Sequence, residues 1–270
     1  MTYIDFHSHV YPPAIARKAA LATCDFYDLL SPFTGTPEEK RALDDTAGVS
    51  HCLILPVAVL PRLVKNANAY VSETAKADPH FIPFGTVHAA DGDMLAAVEG
   101  FAAQGLLGVK MHPDMQKFNI DDPRLYPLYD MIQGKMPVIF HSGDPRWPYS
   151  HPARIRRVMD DFPRLTVIAA HLGAWSMQNE ALPLLRDREN CFVDTCSSMS
   201  HKTPEEAVRL IRAYGAERVF FGSDYPVEDP VYQIRVLESL ALTDAEKEKI
   251  AHENAERFLK EICGFDITGS

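Results

Sequence analysis

At 270 residues, with 46% hydrophobic and 24% charged side chains, the chain has the composition of an ordinary soluble globular protein and the length to bury a large core. Its 27 basic residues against 37 acidic ones give a formal charge of −10, which argues against nucleic acid or an anionic membrane as a partner. Five cysteines (Cys24, Cys52, Cys191, Cys196, Cys263), odd in number and never in a CxxC arrangement, suit free thiols better than a disulfide framework or a thiolate metal site. No apolar run approaches the ~18 residues of a membrane span. The first strand starts almost at Met1 and leaves no room for a cleavable leader, so a cytoplasmic location is expected.

In chain order, short β-rich apolar runs alternate with charged, helix-like stretches. Strands are expected near Tyr3–His9, His51–Val57, Phe81–Val87, Leu107–His112, Val138–His141, Leu165–His171, Cys191–Cys196 and Arg218–Asp224. Near-continuous runs such as Cys52-Leu53-Ile54-Leu55 and Val219-Phe220-Phe221 are those of parallel strands buried on both faces. Between them, Thr36-Pro37-Glu38-Glu39 and Thr203-Pro204-Glu205-Glu206 place Thr at an N-cap, Pro in the first turn and acids beside it. Thr243-Asp244-Ala245-Glu246 is a capping box opening a last helix toward Leu259. Further helices are expected over Pro61–Ala77, Asp93–Ala103, Pro123–Gln133, Pro152–Asp161, Asn179–Arg188 and Pro230–Leu240. Eight strands in one α/β domain spanning residues 1–270 fit a single (β/α)8 TIM barrel with an extra C-terminal helix. A doubly wound open sheet competes, but no GxGxxG or Walker loop follows any strand.

The polar residues sharpen this reading. His7-Ser8-His9 ends the first strand, and by the strand period of two, Asp5, His7 and His9 share a face. Two adjacent imidazoles make half a metal site. The fourth strand ends in Lys110-Met111-His112, the fifth in His141-Ser142-Gly143-Asp144, the sixth in His171-Leu172-Gly173 and the eighth in Gly222-Ser223-Asp224-Tyr225-Pro226. Metal-capable residues at strand after strand C-terminus match the rim where (β/α)8 chemistry collects.

From the HSH near residue 7 to the GSDYP at 222–226, the ordered set resembles the amidohydrolase superfamily, in its amidohydrolase-related (type 2) branch of metal-dependent hydrolases and decarboxylases. The resemblance implies His7, His9, His141 and Asp224 as metal ligands and His171 as the acid/base partner, with Asp224 taking part in catalysis. Three imidazoles and a carboxylate suit zinc, with manganese, cobalt and iron as alternatives. A strand-4 lysine is carboxylated and bridges two metals in some relatives. One ion is preferred here, with Lys110 and His112 lining the substrate pocket.

Arg146 and Trp147, just after the fifth strand, are candidates to clamp an anionic or aromatic substrate. Asp5 is a candidate acceptor orienting a ligand histidine, with a buried structural role as the equal alternative. His51 belongs to the stability end of the barrel, His80 and His252 are expected in solvent, and His88 and His201 carry no motif. The expected activity is a metal-dependent hydrolase acting on a small carboxylated, cyclic, lactone or amide substrate. A non-oxidative carboxy-lyase is the alternative, and a non-catalytic metal- or metabolite-binding barrel ranks third. The implied partner is a small molecule, and self-association into a homo-oligomer is left open.

Overall fold

The computed structural model describes residues 1–30 and 32–267. Strand β1 (Tyr3–Ser8) pairs in parallel with β2 (Val49–Ile54), and β2 with β3 (Phe81–Pro83). A second parallel run leads from β4 (Gly85–Thr86) through β5 (Val109–Met111), β6 (Val138–Phe140), β7 (Val167–Ala169) and β8 (Cys191–Asp194) to β9 (Val219–Phe220). β3 and β4 are halves of one barrel strand, interrupted at Phe84. The Phe84 N–H still donates to Ile54 O at 3.2 Å, whereas the Gly85 N–H donates to Gly108 O at 2.8 Å. At the other seam, Phe6 N–H donates to Phe221 O and Asp224 N–H to His7 O, both at 2.8 Å, and His9 N–H to Tyr225 O at 2.7 Å. Eight parallel strands thus form the expected TIM barrel.

The strands stop earlier than their apolar runs. His171, Leu172 and Asp224 have φ of 64°, 52° and 65°, a left-handed backbone that cannot continue a strand. His171 and Asp224 therefore sit on turns just past the strand ends, while His7 and Lys110 lie within β1 and β5. Such geometry in non-glycine residues is held only where the surroundings over-determine it, and it gathers at functional sites.

Inside the barrel, Ile4, Phe6, Leu53, Ile139, Ile168 and Phe220 form one cluster with Phe258 and Leu259 of the last helix. Phe6 stacks on Phe220 with ring centroids 4.0 Å apart, and Phe258 meets Phe6 edge-on at 5.6 Å. That last helix is not continuous. It runs Asp244–Glu248, widens into a π turn at Lys249–Glu253, and resumes over Asn254–Glu261. At the π turn the Ile250 carbonyl accepts the Phe221 N–H at 2.8 Å, a bond from barrel strand to helix. Asn254 adds bonds to Ala216 O and Val219 O at 2.7 and 2.8 Å.

Lys40, on the helix Pro37–Ala47, is fully buried and ion-pairs with Asp5 (2.8 Å) and Asp44. Burial opposes its charge, but the two carboxylates outweigh it and raise its pKa. Asp44 also engages His80 Nε2 at 2.8 Å, so His80 is a buried structural residue, contrary to the expectation of a solvated one. Asp5 takes the Ser223 N–H at 2.9 Å and the Ser223 hydroxyl, tying this helix to the seam between β1 and β9.

Candidate active site

β1 does not keep its period of two. Asp5 pairs with Cys52 and Ser8 with Ile54, three steps on β1 against two on β2, which marks a bulge. The extra residue separates the directions of Asp5 and His7, correcting the shared face expected from spacing. Asp5 reaches Lys40, while His7 reaches Lys110 on β5 and Asp194 on β8. Gly222 leaves room opposite, since a Cβ there would lie 3.0 Å from His7 Cβ and press on it.

His7, His9 and Asp224 bring their ligand atoms within 4.8 Å of one another. Asp224 Oδ1 is 3.7 Å from His7 Nε2 and 3.6 Å from His9 Nε2. The other ring nitrogens are committed: His7 Nδ1 to Asp194 Oδ2 at 2.8 Å and His9 Nδ1 to Leu55 O at 2.5 Å. A carbonyl or carboxylate oxygen can only accept here, so both imidazoles carry their proton on Nδ1. Their Nε2 lone pairs face Asp224, the tautomer a metal ligand needs. This donor set fits a divalent ion. Burial works against ionisation of Asp224, but the neighbouring imidazoles of His9, His7 and His171 hold its carboxyl well below the usual range.

Lys110 is fully buried, with Nζ 2.9 Å from His7 Nε2. Burial lowers its pKa, and burial together with Lys110 lowers that of His7 to about 4. Asp194, which sequence reasoning missed, is the acceptor that orients His7. Asp5 instead receives the His7 backbone N–H at 3.1 Å and bonds no ligand imidazole, which corrects the role expected for it. Asp194 Oδ1 accepts the His171 N–H and the Cys196 thiol, both at 2.9 Å. Burial opposes its ionisation too, but His7 outweighs it and brings the carboxyl down to about 2.

A second array adjoins the first. Met115 N–H donates to His112 Nδ1 at 3.3 Å, and His112 Nε2 lies 2.8 Å from the Tyr27 hydroxyl. That hydroxyl is 3.0 Å from His141 Nε2, His141 Nδ1 is 2.8 Å from His171 Nε2, and His171 Nδ1 is 3.0 Å from Cys196 O. An amide N–H must donate at one end and a carbonyl must accept at the other. Every intervening bond therefore runs from His112 through Tyr27 and His141 to His171, with all three imidazoles neutral. Burial fits this, pushing His112 and His141 well below their ordinary pKa and the Tyr27 phenol well above its own. His141 is thus engaged with His171 and Tyr27, and it stacks on His112 at 3.9 Å. His171 comes within 4.8 Å of Asp224 through their ligand atoms.

These groups floor a cavity of about 240 Å³. His7, His9, Lys110, His112, His141, His171 and Asp224 all line it, so seven of the nine residues expected as ligands, catalytic groups or pocket lining converge. Arg146 and Trp147 do not. Arg146 forks onto Asp144 at 2.8 and 3.0 Å and lies over the Phe26, Tyr27 and Trp175 rings at 5.4–5.5 Å. Trp147 stacks on Phe26, 40% exposed. They buttress the rim from outside, correcting their assignment as pocket residues. His51, His88, His201 and His252 also stay out of the cavity. Tyr27, Trp175 and Ser197 line it unforeseen; Ser197 donates to Asp224 Oδ2.

The amidohydrolase family model Amidohydro_2 matches residues 4–260, and the chain belongs to that family. A curated relative, gamma-resorcylate decarboxylase from Polaromonas sp. (strain JS666 / ATCC BAA-500), is 22% identical over 209 residues, 61% of each chain. The matched region thus spans less than two thirds of that relative's length. An uncharacterised TIM-barrel protein from Bordetella bronchiseptica has the same fold (TM-score 0.83, 24% identity, 98% of this chain and 100% of that one). So does a dihydroxybenzoic acid decarboxylase from Polaromonas sp. JS666, solved with manganese and the inhibitor 2-nitroresorcinol (TM-score 0.75, 16% identity, 96% and 97%). Among the described residues, no helix is long and apolar enough to cross a membrane.

Proposed function

We propose that this protein is a metal-dependent carboxy-lyase that removes carbon dioxide from a small aromatic carboxylic acid. The relatives reported above move the reading from hydrolysis, which the sequence placed first, to its alternative. The observation that carries it is the arrangement of the cavity: the charged and metal-capable groups lining it are all buried, whereas its half-buried and exposed lining residues are largely aliphatic. Losing a carboxylate as neutral carbon dioxide discharges the substrate, and an apolar wall favours the discharged side of the reaction.

His7, His9 and Asp224 would hold one divalent ion, zinc or manganese. When bound, that ion supplies a positive centre that binds and orients an anionic group. Lys110, at the same floor, adds a second donor for the carboxylate. In the reaction the bond between ring carbon and carboxylate carbon breaks, the electron pair stays on the ring carbon, and that carbon takes up one proton. His171 is placed to supply it: once protonated from solvent at Nε2, the atom that accepts from His141, it would donate that proton to the ring carbon and return to the neutral form. Trp175 and the Phe26–Arg146 stack close the rim and limit access of water.

The test supplies manganese- or zinc-loaded protein with carboxyl-¹³C-labelled hydroxybenzoates and, in parallel, with lactones and amides. Release of labelled carbon dioxide with formation of the phenol is expected. Opening of a lactone or amide without carbon dioxide release would restore the hydrolase reading.

A further inference from the structure

We infer that the cavity selects substrates carrying a single carboxylate, with an apolar or neutral substituent on the ring positions away from it, and rejects dicarboxylates. This rests on the carboxy-lyase reading above and adds to it the specificity of this chain.

Every cationic or metal-capable group lining the cavity is buried, and together these form its floor. Above the floor the wall is built from Ala22, Leu29, Val57, Val59, Leu63 and Met115. Among the described lining residues, Lys110 is the one lysine and there is no arginine. Lys110 is already at the floor beside His7. The Arg146 guanidinium, beside the Tyr27 ring, is bound to Asp144 through two nitrogens and faces aromatic rings. His112 is held neutral by the amide at its Nδ1 and by Tyr27 at its Nε2. The polar groups left in the upper wall include the hydroxyls of Tyr11 and Thr23, 3.5 Å apart. They offer a hydrogen bond to a neutral hydroxyl or methoxy group but cannot balance a charge.

A carboxylate held against this wall would lose its water without gaining a cation, a penalty large enough to dominate recognition. A methyl group in the same place would gain from burial. Two ligands of nearly the same shape therefore separate the cases: 2-hydroxy-5-methylbenzoate, and 4-hydroxyisophthalate, in which a carboxylate replaces that methyl.

The experiment is titration calorimetry of both compounds into manganese-loaded protein, repeated with Ala22→Arg and Leu63→Arg. Ala22 is exposed on the helix Ala16–Phe26, so an arginine there leaves the core untouched; Leu63 is half-buried and gives a second, deeper position. The methyl compound is expected to bind on the order of 100-fold more tightly to the parent protein. At least one arginine variant, shown folded by circular dichroism, should narrow that ratio by roughly tenfold or more, mainly by gaining affinity for the dicarboxylate. Equal or tighter binding of 4-hydroxyisophthalate to the parent would overturn the inference and leave the carboxy-lyase reading standing. So would folded arginine variants with an unchanged ratio. Failure of both compounds to bind would count against the aromatic-carboxylate reading itself, and the inference would fall with it.

Discussion

Replacing Asp194 with asparagine keeps the side chain's shape and removes one of its two acceptors. In the native protein Asp194 faces three donors: His7 Nδ1–H, the His171 N–H and the Cys196 thiol. An asparagine must turn its NH₂ toward one side or the other. Facing His7, it forces Nδ1 to accept, and the proton moves to Nε2, the atom aimed at His9 and Asp224. The lone pair for a metal is then gone. Facing His171, it sets two donors against each other at a distance of 2.9 Å in the native arrangement. Outer partners of a metal-binding histidine are typically worth 10–100-fold in metal affinity, about 1.4–2.7 kcal/mol. Stability should fall by about 1–3 kcal/mol, the range for a buried hydrogen-bonding group left without its partner. Manganese titration by calorimetry, beside a thermal melt of the metal-free protein, reads both quantities. A folded Asp194→Asn protein that binds manganese within twofold of the parent would refute the assignment of His7 as a ligand oriented through Asp194.

Three further outcomes are expected. Burial, aided by Lys110, holds His7 at a pKa of about 4, while an unfolded histidine titrates near 6.5. Between those values the unfolded chain binds a proton that the folded chain does not, so metal-free protein should lose about 3 kcal/mol as pH falls from about 6.5 to 4. The lowered pKa values of His112 and His141 act in the same direction; a flat urea midpoint across that window, with chelator present, would contradict this. Lys40→Met leaves Asp5 and Asp44 buried without their cation and should destabilise by about 3–5 kcal/mol in urea unfolding, whereas a loss below about 1 kcal/mol would show the network to be dispensable. His171→Asn should reduce turnover by about 10²–10⁴-fold with metal content retained, and elemental analysis showing the metal lost with it would make His171 a ligand instead.

Much of the barrel was legible because parallel strands covered on both faces are written as short apolar runs, and each expected run contains a strand. Strand ends were not legible. Past two of them left-handed turns fall at His171 and Asp224, residue types that enter that region more often than most but whose sequence does not say where they do so. The bulge in β1 was hidden for a related reason: Tyr3-Ile4-Asp5-Phe6-His7 alternates regularly in polarity, and the pairing partner on β2 decides that one residue is extra. Tyr27 lies in the excursion between β1 and the helix Pro37–Ala47, where no strand end or motif marks it. Its ring meets Trp175 at 4.9 Å, and its hydroxyl bridges two histidines more than eighty positions downstream.

Residue type and position said that imidazoles would gather, but not what each would do once there. That depends on which nitrogen carries the proton, and the decision is made by groups far away in the chain. Leu55 O and Asp194 fix His9 and His7 with their lone pairs toward Asp224. The Met115 amide and the Cys196 carbonyl fix the other three in one direction, toward His171. Three of these four anchors are backbone atoms, present at every position in the sequence and therefore carrying no sequence signature. Five chemically identical side chains are divided by them into a pair that can hold a cation and a triplet that can hand on a proton. A decarboxylation needs both, a cation for the departing carboxylate and a proton for the carbon it leaves.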